Sequence, residues 1–132
     1  MSDTPPPTIE TPTLETLRER IDEVDDAIHA LIVKRAQVVR EIGELKRASP
    51  EGEDKTFVRP GREAMILRRL AKRHDGEFPL PELTRMWREM LAGFTRMQGS
   101  FAVSVCLPEG PNDLWDLARD HFGSHTPMST HT

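Results

Sequence analysis

Between Thr13 and Ala48 the chain carries no proline, and Leu17, Ile21, Val24, Ile28, Leu31, Arg35, Val38, Ile42 and Leu45 recur at alternating steps of 4 and 3. That spacing is a heptad seam along one face of a single helix. Thr11 or Thr13 can cap its start, acidic residues crowd its first half, and Pro50 and Gly52 stop it. At 1.5 Å rise per residue the 36 residues span roughly 54 Å. A compact domain of 132 residues has a radius of gyration of only about 14 Å. Such a rod exposes its seam unless something packs against it. An intertwined homodimer is the economical solution.

The remaining segments are shorter. Pro5, Pro6, Pro7 and Pro12 mark residues 1–12 as a flexible lead-in. A linker rich in Pro, Gly and acids runs from Ser49 to Val58. Pro60 suits the first turn of a second helix reaching about His74, before Asp75-Gly76. A third helix enters at Pro79 and Pro81 and ends at Gln98-Gly99; its Leu83, Trp87, Met90, Phe94 and Met97 again step 4, 3, 4, 3. Phe101 to Leu107 is β-prone, and Asn112 can cap a short helix to Phe122. One strand cannot form a sheet alone. The reading is therefore an all-α chain of three helices over 13–99, with a strand–helix appendage of unknown role over 100–132. The tail after Gly123 is expected to be mobile.

Composition narrows the function classes. Eighteen basic against 22 acidic residues leave a net charge of −4, so no global positive field points to nucleic acid or to a membrane surface. A single cysteine, Cys106, excludes a disulfide framework within one chain and reads as a packing residue. No apolar run approaches a membrane span, and the N-terminus lacks a secretory pattern, so a cytoplasmic location is expected. The five histidines are scattered, and no phosphate loop, metal spacing or nucleophile–base arrangement stands out. The run Arg68, Arg69, Lys72 and Arg73 reads as a solvated helix face. Any chemistry here is expected to need no metal and no cofactor.

Arg35 is the most informative residue. It occupies a seam position among eight apolar ones, where an unpaired guanidinium costs several kcal/mol. It is either a register-setting, ion-paired residue or part of an anion site in the helical core. Lys46 follows 11 residues later, within about 20° of the same face and ~16 Å away, so the two side chains can bracket a small ligand. Arg18, about 25 Å before Arg35 and rotated about 100°, cannot share that ligand within one helix but can across an antiparallel dimer. Arg62 and Glu63 open the second helix, where the helix dipole alone favours Glu63. Glu63 can otherwise accept from a ligand hydroxyl, and the Arg62 fork suits a carboxylate. Gln98 offers a neutral amide donor at the end of the third helix.

The pattern resembles the all-helical chorismate mutase family, the type fused to prephenate dehydratase in bacteria. The stretches that carry the resemblance are Leu14–Asp25, Lys34-Arg35, Ile42–Lys46, Val58–Glu63 and Met86–Gln98, and their order and spacing together are specific. The resemblance implies an intertwined homodimer of three-helix chains that converts chorismate to prephenate, a [3,3] rearrangement on the way to Phe and Tyr. It implies that Arg18 of the partner chain, Arg35 and Arg62 hold the two carboxylates, that Glu63 takes the ring hydroxyl, and that Lys46 and Gln98 donate to the ether oxygen. Isochorismate-pyruvate lyase is the alternative on the same fold. A non-catalytic helical dimer that scaffolds or regulates an enzyme is the alternative from another class. The chain departs from the pattern at Phe94, where a serine is common, at Arg59, where some members have aspartate, and in a longer 49–58 linker.

Overall fold

The computed structural model describes residues 3–7, 10–48 and 58–131. The expected linker lies outside the described residues except for Val58. Six elements follow in order: α1 (Leu14–Ala48), α2 (Pro60–Arg73), α3 (Leu80–Gln98), β1 (Val103–Cys106), α4 (Leu114–Phe122) and β2 (Met128–His131). The three expected helices form within one residue or so of the boundaries read from the sequence. No helix is long and apolar enough to cross a membrane among the described residues.

The chain divides into two compact units, Met1–Gln37 and Val38–Thr132. In the first, the N-terminal part of α1 is the only regular element among the described residues. Thr13 starts it: its hydroxyl accepts the Thr16 amide at 3.2 Å, and its carbonyl accepts the Leu17 amide at 3.0 Å. The seam residues Leu17, Ile21, Val24, Ile28 and Leu31 remain 40–65% exposed. A row of five large apolar side chains in water is the opposite of what a helix in a finished core shows.

The second unit supplies the core. Val39, Leu91, Ala92, Phe94 and Val105 are its buried apolar residues, with Thr95 and Thr126 buried beside them. Burying an aromatic of the size of Phe94 is worth about 1.5–3 kcal/mol. On α1 the inward stripe is Val39, Gly43 and half-buried Lys46, whereas the seam residues Val38, Ile42 and Leu45 stay exposed. Helical periodicity alone could not separate these two adjacent stripes. α2 packs on α3, α3 on α4, and α4 on β1. His74 Nε2 lies 2.6 Å from the Phe78 carbonyl oxygen and closes the α2–α3 turn, in which Gly76 takes φ 103°.

Residues 100–132 depart from the expected strand–helix appendage. β1 pairs in parallel with β2, with Val103 opposite Met128 and Cys106 opposite His131. Parallel partners need a crossover, and α4 provides it. Within the tail after Gly123, expected to be mobile, Met128–His131 is instead the second strand of a β1–α4–β2 unit. Its pattern was too short and too polar to announce itself. α4 begins after Asn112, whose Oδ1 accepts the Leu114 amide at 3.2 Å, as expected. Cys106 is exposed at the end of β1, a correction to its reading as a packing residue, because alternation along β1 turns Val105 inward instead.

Candidate functional site

Two of the residues singled out from the sequence come together in the second unit. Lys46, in the last turn of α1, points its Nζ at Gln98 Oε1 on the last residue of α3, at 3.5 Å and partly buried. The contact joins residues 52 apart in sequence. Gly43 lies one turn before Lys46 on the inward stripe of α1. A Cβ built on Gly43 would lie 3.8 Å from Gln98 Cγ and 3.6 Å from the Arg47 guanidinium. Its missing side chain leaves room beside Gln98. That room is a cavity of about 170 Å³ lined by Val39, Arg40, Gly43, Arg47, Met97 and Gln98.

The amide of Gln98 and the ammonium of Lys46 are both donor-bearing groups, and neither is replaced by a carboxylate here. In the contact itself Lys46 Nζ donates to the Gln98 oxygen; the Gln98 Nε2 group at the same side-chain end is a second donor, and an oxygen held beside the pair can accept from both as it gains negative charge.

The other candidates lie elsewhere. Arg62 is exposed and Glu63 half-buried in the first turn of α2, where the Glu63 amide donates to the Arg59 carbonyl at 3.0 Å. Neither side chain makes a hydrogen bond to Lys46 or Gln98 among the described residues. Arg18, exposed, and Arg35, half-buried, belong to the first unit. Phe94, at the position where a carboxylate-binding serine is common, is buried in the core, and Arg59 is the residue before α2. Arg68, Arg69, Lys72 and Arg73 are all exposed, in keeping with a solvated face.

Sequence reasoning passed over Val39, Gly43 and Arg47. The signal was present, since Val39 and Gly43 stand seven and three residues before Lys46 and share its face. The seam one residue away attracted attention because its apolar side chains are larger.

A family model described as chorismate mutase type II matches residues 17–99. The bifunctional chorismate mutase/prephenate dehydratase of Stutzerimonas stutzeri is 34% identical over 117 residues, which is 88% of this chain and 32% of that protein. The protein of the same name from Pseudomonas aeruginosa is 32% identical over 120 residues, 88% of this chain and 33% of its own. That from Neisseria gonorrhoeae is 31% identical over 111 residues, 83% of this chain and 29% of its own. The chain therefore spans about a third of the length of the curated relatives it matches. An alignment covering 88% of 132 residues takes in more than the stretch before Ser100, so the likeness continues past α3 through β1 to the start of α4. No solved structure shows a significant match.

Proposed function

The chain belongs to the chorismate mutase type II family, and on that premise we propose that it rearranges chorismate to prephenate as a homodimer. The observation that carries the reading is that Lys46 Nζ donates to Gln98 Oε1 at 3.5 Å, which brings together the two side chains assigned to the ether oxygen. As the C–O bond of the substrate lengthens, negative charge grows on that oxygen. Lys46 then donates through its ammonium and Gln98 through its amide N–H. These interactions strengthen toward the transition state and so raise kcat.

The reaction is unimolecular and needs no nucleophile. What it needs is a compact, chair-like substrate conformer, which fixed cations on both carboxylates enforce. In this reading Arg35 and Arg62 of one chain and Arg18 of its partner clamp the carboxylates, and Glu63 accepts from the ring hydroxyl. The substrate is a dianion, so together with Glu63 it offsets most of the charge that three arginines and Lys46 bring in this reading. Exposure of Leu17, Ile21, Val24, Ile28 and Leu31 supports the homodimer, because a second copy of the same seam would cover them. No cofactor enters the mechanism. The domain boundaries that follow are a lead-in over 1–12, the mutase over 13–99 and a C-terminal extension over 100–132, in a protein of the cytoplasm.

Incubation of the purified chain with chorismate tests this directly. Prephenate, detected by mass and by acid conversion to phenylpyruvate, is the expected product. A folded protein that leaves chorismate untouched but forms salicylate and pyruvate from isochorismate would move the reading to the lyase.

A further inference from the structure

We propose that the β1–α4–β2 unit is a brace that holds the final turn of α3, and with it Gln98, in register for the reaction. The inference rests on the reading of Gln98 as a donor to the substrate. Gln98 is the last residue of α3. Helix ends fray, because their last four carbonyls have no intrahelical donor. A donor on such a residue is poorly placed unless something ties the turn that carries it.

The tie is a row of contacts along one face of α3. Arg85 Nη2 donates to Asp120 Oδ1 at 2.9 Å, and Arg88 Nη1 lies 3.1 Å from His121 Nδ1. Glu89 accepts the Ser124 amide at 2.9 Å and the Ser124 hydroxyl at 3.0 Å. Gly123, at φ 97°, lies so close to Ala92 that a Cβ built on it would be 2.5 Å from the Ala92 Cβ. Nearest the helix end, Arg96 Nη1 donates to Thr126 Oγ1 at 2.8 Å, and that hydroxyl donates on to the Phe122 carbonyl at 2.7 Å. Thr126 is only 5% exposed, so the pairing of Arg96 with it is sheltered from water.

Residues 85, 88, 89, 92 and 96 share one face at steps of 3, 1, 3 and 4, whereas Gln98 follows Leu91, Phe94 and Thr95 on the buried face. The brace therefore grips α3 from the side away from Lys46 and touches no reacting atom. Arg96 and Thr126 are positioning residues. Displacement of a donor by about 1 Å can cost on the order of 100-fold in rate, so a partial loosening of the last turn reads as a fall of about tenfold.

Thr126→Val removes the hydroxyl and keeps the shape. Assayed well below its melting temperature, it should lower kcat about tenfold with KM unchanged, since Gln98 acts in the transition state rather than in ground-state binding. Thr126→Ser should restore the rate. In a Gln98→Ala background the Thr126→Val substitution should have no further effect, because nothing remains to be positioned. An equal loss in that background, or no loss in the wild-type background, overturns the brace. Hydrogen exchange of the amides of residues 95–98 is the independent arm. It should quicken in Thr126→Val whether or not chorismate is the substrate. Absence of turnover in the wild type sinks the mutase reading, and unchanged exchange sinks the brace.

Discussion

The N-terminal part of α1 and the outer face of α3 are both helical, yet they are finished in opposite ways. Along the first, five seam residues from Leu17 to Leu31 stay in water. Along the second, a face of charged side chains is closed by Asp120, His121, Ser124 and Thr126 of the same chain. An apolar stripe gains by covering area and accepts any partner that covers it. A polar face is satisfied only by groups at the right distance and angle. The first region is thus left open to any apolar cover, as the proposed homodimer requires, whereas the second depends on geometry.

Four substitutions separate these roles, beginning with the largest effect. Ile28→Asp places a carboxylate in the centre of the exposed seam and should abolish the dimer in sedimentation, with turnover lost because Arg18 no longer reaches its partner's site. A dimer that survives would remove the seam from the assembly. Lys46→Ala should lower kcat by about 10²–10³-fold, the range for losing one donor to a developing oxyanion, while sedimentation still reports a dimer. Full activity in this variant would take Lys46 out of the mechanism. Gly123→Ala meets the Ala92 Cβ and a left-handed φ together, and should destabilise the closed region by about 1–3 kcal/mol in thermal or urea unfolding. Arg85→Ala breaks an ion pair whose side chains are 59% and 45% exposed, so the change should stay under about 1 kcal/mol. A larger loss would mean that the row of contacts on α3 acts cooperatively rather than pair by pair.

Much of the helical part was legible because its signals are local. Proline and glycine punctuate α1, α2 and α3, and apolar residues at steps of 3 and 4 mark one face of α1 and of α3. Lys46 and Gln98 were nominated from sequence, but residues 52 apart can be joined only by folding, and their 3.5 Å contact is a product of how α1 and α3 pack. The C-terminal segment was the least legible. β2 has four residues, Met128–His131, three of them exposed polar ones, and its existence depends on β1 as a partner rather than on its own composition. Gly123 shows the same limit, since a glycine before a histidine-bearing tail reads as an end, whereas in the fold it is the point of closest approach to α3.

By itself, then, the sequence determined the helices, the long seam that a single chain leaves open, and the set of charged residues available for an anion. Those follow from periodicity, capping and the cost of an isolated cation, which act over a few residues. Only the tertiary structure decided which stripe of α1 turns inward, that Lys46 meets Gln98, and that residues 103–131 close into a β1–α4–β2 unit packed on α3. Those outcomes depend on shape and hydrogen-bond geometry between segments far apart in the chain, and no local preference encodes them.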